Sequence, residues 1–260
     1  APANRFLAAL RAADYPGPVY AINPNGGTIQ GLSALTSLSE LPEVVDYAFI
    51  GIAPRLVPAT VRAAAGRVRT VQVMSAGFRE AAGGAGIEED LVRAVHESGV
   101  RLLGPNCMGT YSPRGRLACI QGVSGEVGSV GIAAQSGGLG MDAIRLGEAM
   151  GVRFSLVSTL GNCADVGLPD MVEFFAHDPQ TTVIGLYVEN ARDGRRLFDA
   201  LAHRAGKPCV VLVGGRTAQG VSAAVSHTGG LSTTSRVWEG MLRQTGCAMV
   251  TDLEQFLNAL

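Results

Sequence analysis

The chain has 260 residues, a formal net charge of -1 and one lysine, Lys207. Its arginines are dispersed, so no basic stripe indicates nucleic-acid binding, and no apolar run approaches the roughly 20 residues of a membrane span. The five cysteines form no C-x-x-C pair and the start resembles no signal peptide, so we expect a soluble, cytoplasmic protein with neither disulfides nor a metal site.

The first half of the chain alternates short apolar runs with helical patterns, which predicts a parallel sheet with crossover helices. Residues 2–13 predict a helix, and residues 87–98 predict another, with an acidic first turn and an apolar stripe. Strands are predicted at residues 18–22, 47–52, 70–74 and 100–103. No strand or glycine-rich turn precedes the first helix, although a doubly wound domain normally opens with both. A fragment or a variant of that architecture is therefore expected.

A glycine- and serine-rich stretch at residues 122–129 interrupts this pattern and predicts a domain boundary. We assign residues 1–124 to a first domain and residues 125–260 to a second. In the second domain, strands are predicted at 130–134, 155–159, 183–188 and 209–213, and helices at 139–150, 169–176, 194–205 and 253–259. The predicted fold class is α/β, with two parallel-sheet domains in tandem.

The carboxyl ends of the predicted strands carry unusual residues, and ligands of open parallel sheets gather at such ends. Gln135-Ser136-Gly137-Gly138 follows one strand and opens a helix, whose free N–H groups and dipole favour an anion. The same residues also fit a serine N-cap with glycines for close packing. Both interpretations remain open.

Glu189 directly follows the apolar strand at residues 183–188. A carboxylate at this position can orient an imidazole and favour its protonated or phosphorylated form. Taken by itself, the residue favours the simpler interpretation of an exposed glutamate where the strand emerges, or of a helix cap.

One histidine differs from the other three in its surroundings. His96, His177 and His203 lie within or at the end of helical patterns, whereas His227 lies in a loop of small residues. A neutral imidazole is a good nucleophile toward phosphorus. A histidine that caps the helix beginning near Thr234 would give the same pattern, so that alternative also remains.

Four ordered motifs connect these features: residues 104–109, 135–138, 161–166 and 226–229, which read GPNCMG, QSGG, GNCADV and SHTG. With residues 19–24 and 75–80, they resemble the NDP-forming acyl-CoA synthetases, relatives of the succinyl-CoA synthetase α subunit, over essentially the whole chain. The resemblance implies a Rossmann-like CoA-binding domain, here without its first strand, followed by a flavodoxin-like succinyl-CoA ligase domain.

The resemblance also implies roles for individual residues. His227 matches the phosphohistidine that carries phosphate between an acyl phosphate and a nucleotide, and Glu189 matches the carboxylate that steadies it. The implied phosphate-binding residues are Gln135, Ser136, Gly137, Gly138, Thr228 and Gly229. The implied CoA-binding residues are Asn23, Pro24, Asn25, Pro54, Ser75, Ala76, Gly77, Phe78, Pro105, Asn106 and Cys107, of which Cys107 is not implied to be a nucleophile.

Coenzyme A is then a substrate, and the implied reaction interconverts acyl-CoA, phosphate and NDP with a carboxylic acid, CoA and NTP. The sequence contains no ATP-grasp segment, so we expect a magnesium nucleotide to bind through an ATP-grasp partner domain or subunit, in an oligomer. Ala134 stands where relatives usually have a serine.

Two other functions are weighed against this one. A non-catalytic CoA-binding or scaffolding module would keep the family surface without turnover, and Ala134 together with the missing opening turn favours it somewhat. A nicotinamide-dependent dehydrogenase would need a G-x-G-x-x-G turn between a strand and a helix, and the sequence has none.

Overall fold

The computed structural model describes residues 2–215 and 235–260. The helices of these residues are α1 (Pro2–Ala12), α2 (Val57–Ala63), α3 (Ala85–Ser98), α4 (Gly137–Ala149), α5 (Leu168–His177), α6 (Gly194–Ala202), α7 (Ser235–Thr245) and α8 (Leu253–Ala259). The strands are β1 (Ala21–Ile22), β2 (Thr28–Ile29), β3 (Leu32–Leu35), β4 (Val45–Ile50), β5 (Val68–Val73), β6 (Arg101–Leu103), β7 (Thr110–Tyr111), β8 (Val130–Ala134), β9 (Phe154–Thr159), β10 (Val183–Val188), β11 (Cys209–Val213) and β12 (Ala248–Val250). Helices and strands alternate along most of the chain, as predicted.

The first half of the chain forms two small sheets. Strands β4, β5 and β6 form a parallel sheet in that order, while β3 pairs with β1 on one side and with the antiparallel β2 on the other. The strand predicted at residues 18–22 is therefore shorter than expected and lies outside the β4-β5-β6 sheet. Pro16 and Pro18 precede it and lack the N–H groups that a longer strand would pair.

Helices pack on the β4-β5-β6 sheet through apolar side chains. Val57 and Val61 of α2 and Leu91 of α3 are fully buried in one apolar cluster with the valines of β5. Helix α1 packs on β4, where the ring of Phe6 stacks on that of Phe49 with centroids 4.6 Å apart. Burial of these aliphatic and aromatic side chains, at about 25 cal/mol per Å² of apolar surface, stabilises the first domain.

The second half of the chain builds one six-stranded sheet in the order β12-β11-β10-β8-β9-β7. All of its pairings are parallel except that of β7 with β9. Every residue of β8 and β11 is buried, because helices cover both faces, and this explains their continuous apolar runs. The predicted bounds of β8, β10, β11 and α8 match the structure. Strand β7 lies at residues 110–111, so part of the stretch assigned to the first domain pairs with the second sheet.

The two halves are joined along one backbone segment. Residues 162–166 run beside the end of β6, where the N–H groups of Asn162, Ala164 and Val166 donate to the carbonyls of Pro105, Gly104 and Leu102 at 2.9, 2.9 and 3.1 Å. The carboxylate of Asp165 accepts from the Leu102 N–H at 2.7 Å and from Arg101 Nε at 2.9 Å. This junction fixes the carboxyl ends of the two sheets next to each other. None of the helices in the described part of the chain has the length and apolar character that crossing a bilayer requires.

Candidate functional site

A small pocket lies where the carboxyl ends of the two sheets meet. Its lining residues are Asn106, Gln135, Gly161, Asn162, Glu189, Asn190 and Arg192. They come from the loops that follow β6, β8, β9 and β10. The site is therefore built from both domains, at the edge where parallel sheets generally bind their ligands.

The side chain of Gln135 holds the loop that follows β10. Its Oε1 accepts hydrogen bonds from the N–H groups of Glu189 at 2.6 Å and Asn190 at 2.9 Å, while its Nε2 donates to the Asn190 carbonyl at 2.7 Å. Only 6% of Gln135 is exposed. Its amide is thus committed to positioning Glu189, and phosphate binding by this residue would have to involve its backbone.

The start of α4 shows the serine N-cap, which is one of the two alternatives that the sequence left open. Ser136 is the N-cap, and its Oγ accepts from the Leu139 N–H at 3.3 Å. A side chain at Gly137 would meet Met108 at 2.5 Å, so this glycine permits close packing, whereas a Cβ on Gly138 would have no neighbour within 4 Å. The N–H groups of the first turn remain suited to an anion. Phosphate binding here stays a prediction.

Glu189 lies at the carboxyl end of β10, half-buried beside Tyr187. Burial and a hydrogen bond with the Glu189 carboxylate raise the pKa of the Tyr187 hydroxyl. A Cβ added at Gly214 would come within 2.6 Å of that hydroxyl and 3.4 Å of Glu189 Cγ. The end of β11 therefore packs closely on this pair, and Glu189 is a positioned carboxylate instead of a fully exposed one. His227, Thr228 and Gly229 lie outside the described residues.

Several predicted CoA-binding residues of the first domain converge on one surface. The Asn106 N–H donates to the Ser75 carbonyl at 3.0 Å, and Ser75 Oγ donates to the carbonyl of Ile52. Pro54 lies 3.0 Å from where a Cβ of Gly77 would stand, and Ala76 is exposed beside it. Gly77 has a φ of 105°, which favours glycine and allows this approach. CoA binding at this surface remains a prediction.

Three other predicted CoA-binding residues are buried. Phe78 is fully buried in the core of the first domain, Cys107 is 1% exposed, and Pro105 is buried beneath the domain junction. Cys107 Sγ donates to the Thr159 carbonyl at 2.8 Å, and burial raises the pKa of its thiol to about 12. Their side chains are thus used for packing, because the apolar groups are excluded from water, and only their backbones remain for a ligand.

The predicted residues Asn23, Pro24 and Asn25 form a turn of their own. The Asn25 N–H donates to Asn23 Oδ1 at 3.1 Å, and the Asn23 N–H donates to the Leu35 carbonyl at 2.9 Å. These bonds tie the turn to β3, and Pro24 and Asn25 are exposed. The turn is thus anchored to the β1-β3-β2 sheet of the first domain.

The sequence did not indicate an ionic cluster beneath the pocket. The side chain of Glu88 on α3 is 1% exposed, and its Oε1 pairs with Arg79 at 3.1 Å and Arg192 at 3.3 Å. Asn162 Nδ2 donates to Glu88 at 2.8 Å and to Glu80 at 2.5 Å. Acidic residues in a first helical turn usually face solvent, so the pattern gave no signal for this burial. No group of acidic, histidine or cysteine side chains in the described part of the chain could hold a metal ion.

The family of the chain follows from comparison with known proteins. Residues 127–260 match the succinyl-CoA ligase like flavodoxin domain, and residues 1–113 match a CoA binding domain. The chain therefore belongs to the succinyl-CoA ligase like family, with the two α/β domains that the motifs implied.

Two curated proteins and one solved structure are similar to nearly the whole of this chain. The ADP-forming acetate-CoA ligase I of Archaeoglobus fulgidus is 35% identical over 98% of this chain and 38% of its own length. Subunit alpha of the ADP-forming acetate-CoA ligase II of Pyrococcus furiosus is 31% identical over 93% of this chain and 54% of its own. The dinucleotide forming acetyl-coenzyme A synthetase 1 of Ca. Korarchaeum cryptofilum, solved in complex with phosphate and ADP, has a TM-score of 0.90 at 32% identity and covers 98% of this chain. The chain spans 56% of that structure, and thus about half or less of the length of these relatives.

Proposed function

We propose that this chain is the CoA-binding and phosphohistidine-bearing part of an NDP-forming acyl-CoA synthetase, with His227 as the phosphate carrier. The observation that supports it most directly is the pocket in which Glu189, the loop that opens α4 and Asn106 of the first domain meet. The named relatives are ADP-forming acetate-CoA ligases, which agrees with this reaction class. The nucleotide would bind to an ATP-grasp partner domain or subunit. Five free cysteines fit a cytoplasmic location.

The reaction consists of three transfers. A phosphate oxygen attacks the thioester carbonyl of acyl-CoA, the C–S bond breaks, and CoA leaves as its thiolate while an acyl phosphate forms. A ring nitrogen of His227 then attacks phosphorus, and the carboxylate leaves. NDP takes the phosphoryl group from phospho-His227, which yields NTP and restores the imidazole. Each step exchanges groups of comparable reactivity, so positioning contributes more than acid-base catalysis.

The described residues would supply two parts of this chemistry. The N–H groups of Gly137 and Gly138 at the start of α4 would donate to the phosphate oxygens, and the helix dipole would favour the same charge. Glu189 would accept a hydrogen bond from the imidazole N–H and stabilise the positive charge that develops on the ring. Gln135 would hold Glu189 in place for this contact.

Transfer of label from phosphate to the protein tests this proposal. The chain is incubated with acetyl-CoA and radiolabelled phosphate, and we expect an acid-labile, base-stable label that His227→Asn abolishes. The matched control is His203→Asn, which changes an exposed histidine at the end of α6 and should retain the label. Equal labelling of the two variants, or no label in the unmodified chain even with ATP and an ATP-grasp partner, would contradict the proposal.

A CoA-binding module without turnover is the second candidate. Ala134 favours it, since its buried methyl group offers no hydroxyl to a phosphate at the end of β8. Calorimetric titration with CoA, run beside the labelling experiment, separates the two. Binding of CoA without any label on His227 supports the module.

A further inference from the structure

Two of the five cysteines belong to the same apolar cluster, although the sequence separates them widely: Cys209 begins β11, and Cys247 directly precedes β12. Strands β11 and β12 are parallel, and their register pairs Val210 with Ala248, Val211 with Met249 and Leu212 with Val250. Continued by one residue, this register would bring Cys247, which directly precedes β12, opposite Cys209, the first residue of β11. Adjacent strands lie about 4.8 Å apart, which falls within the roughly 4.4–6.8 Å between Cα atoms that a disulfide spans.

Both thiols lie on the same face of the sheet. Cys209 and Cys247 belong to one apolar cluster with Trp238 and Leu242 of α7. On β11, Cys209 and Val211 belong to this cluster. Val210, which lies between them, belongs to the cluster on the opposite face of the sheet. Because side chains alternate along a strand, this division puts both sulfur atoms on the face of the sheet that α7 covers.

The surroundings of the pair make the two thiols unequal. Cys209 is 3% exposed, whereas Cys247 is partly exposed at the edge of the cluster. The guanidinium of Arg204 donates to the carbonyls of Thr245 at 2.6 Å and Gly246 at 3.0 Å, directly before Cys247. Thr245 Oγ1 lies 3.4 Å from Cys247 Sγ as a donor. The Cys209 thiol and these neighbours favour the thiolate and lower the pKa of Cys247.

We propose that Cys209 and Cys247 form a redox-responsive thiol pair, which a small-molecule disulfide oxidises to a disulfide that links the start of β11 to the residue before β12. The Cys247 thiolate attacks one sulfur of the small disulfide, whose S–S bond breaks and releases one small thiolate. Cys209 then loses its proton and attacks the Cys247 sulfur of the mixed disulfide, which releases the second small thiolate. The two cysteines are oxidised by two electrons and the small disulfide is reduced to two thiols.

The other three cysteines do not form such a pair. Cys107 is held by Thr159 in the core. Burial raises the pKa of the Cys119 thiol to about 12 and that of the Cys163 thiol to about 11. The Cys119 sulfur contacts the sulfur of Met141, and the Cys163 sulfur contacts the side-chain amide of Gln135. In sequence, His227 lies between Cys209 and Cys247, so the new bond would close a covalent loop that contains it.

Peptide mapping of the oxidised chain tests the pair. The folded full chain is treated with glutathione disulfide, the remaining thiols are alkylated, and the digest is analysed by mass spectrometry. We expect a single Cys209-Cys247 cross-link that dithiothreitol reverses, together with the loss of two thiols per chain. In Cys209→Ser we expect glutathione to remain attached to Cys247. A cross-link that involves Cys119, Cys163 or Cys107, or glutathione on Cys247 of the unmodified chain without a cross-link, would overturn the proposal.

Alkylation rates give a second readout that does not depend on oxidation. With iodoacetamide near pH 7, Cys247 should react at least about tenfold faster than the partly exposed Cys119. Only the thiolate is alkylated, and a pKa lower by one unit increases the thiolate fraction by about a factor of ten. Cys119→Ser is the control variant: it removes a partly exposed thiol and leaves the pair intact, so the rate at Cys247 should stay the same. Equal rates at Cys247 and Cys119 would contradict the assignment of Cys247 as the attacking thiol.

Discussion

At the residue scale, Gln135 connects the fold to the candidate site. Three hydrogen bonds tie its buried amide to the backbone of Glu189 and Asn190. Replacement by leucine keeps the volume but leaves two N–H groups and a carbonyl without this partner. Because each such group costs about 1–3 kcal/mol when it stays buried, we expect Gln135→Leu to lower the free energy of unfolding by about 3 kcal/mol.

Urea unfolding measures this decrease in the free energy of unfolding, and the same substitution at Gln180 is the matched control. Gln180 makes one bond through its side-chain amide, to the Gly128 carbonyl at 3.0 Å, and is partly exposed. We expect Gln180→Leu to cost about 1 kcal/mol or less. Similar losses in both variants would mean that the Gln135 amide does not hold the Glu189 loop.

The pH dependence of stability has an identifiable contribution from Glu80. Burial alone would raise the pKa of this carboxyl group, but hydrogen bonds from Asn162 and from the N–H groups of Gly77 and Phe78 outweigh it and lower the pKa below the ordinary 4.5. A group whose pKa is lowered in the folded state stabilises it above the unfolded pKa. That contribution is lost as the pH falls through the folded value.

Glu80→Gln should therefore be destabilising near neutral pH, and the difference from the unmodified chain should shrink below about pH 4.5. Urea unfolding between about pH 6 and about pH 3 measures the difference. The matched control is Glu89→Gln, at an exposed position of α3. A difference that stays constant or grows as the pH falls would contradict the role given to the Glu80 carboxylate.

At the element scale, the sequence predicted the second domain more accurately than the first. Strands β8, β10 and β11 are buried on both faces, so uninterrupted apolar runs mark both their ends. Strands β2 and β7 have two residues each and lie at sheet edges, where neither alternation nor an apolar run indicates them. Short edge strands depend on partners distant in sequence, which local patterns do not contain.

The candidate site divides in the same way. Glu189 and Ser136 could be located because each stands at the carboxyl end of a recognisable strand. The burial of Glu88 and its bond to Arg192 depend on how α3 of one domain packs against the loop after β10 of the other. No local pattern carries that information, since the two residues are far apart in the sequence.

The buried carboxylate of Glu88 makes α3 an element that joins both domains. Glu88→Gln keeps the shape but removes the charge that compensates Arg79 and Arg192. The two guanidinium groups are 45% and 33% exposed, so solvent screens part of the loss. We expect a decrease of about 1–3 kcal/mol in the free energy of unfolding.

Glu97→Gln is the matched control on the same helix. The Glu97 side chain is 56% exposed and pairs with Arg62 at 2.5 Å, and exposed pairs of this kind contribute about 0.2–1 kcal/mol. Guanidinium chloride would screen both pairs, so urea is the appropriate denaturant. If Glu97→Gln costs as much as Glu88→Gln, the buried cluster does not couple the domains.

At the scale of the whole molecule, the junction between the two sheets depends on the approach of residues 161–166 to the end of β6. Gly161 allows the closest contact, because a Cβ there would lie 2.2 Å from the Pro105 carbonyl oxygen and 2.3 Å from that of Asn106. Both obstacles are backbone atoms at the pocket, so a side chain at this position would have to displace one domain from the other.

Gly161→Ala should therefore destabilise the whole chain and loosen the contact between its domains. Gly161 has a φ of 54° and Gly151 a φ of 89°, but a Cβ at Gly151 would meet nothing within 4 Å. Gly151→Ala thus carries only the backbone strain, about 1–2 kcal/mol, whereas Gly161→Ala adds overpacking and should cost about 3–4 kcal/mol in total. Calorimetry measures both losses, and a second, separate transition in Gly161→Ala would show that the domains had come apart. If the two alanine variants are equally stable, close approach at Gly161 does not hold the domains together, and the pocket would have to be maintained by the Asp165 and Glu88 contacts instead.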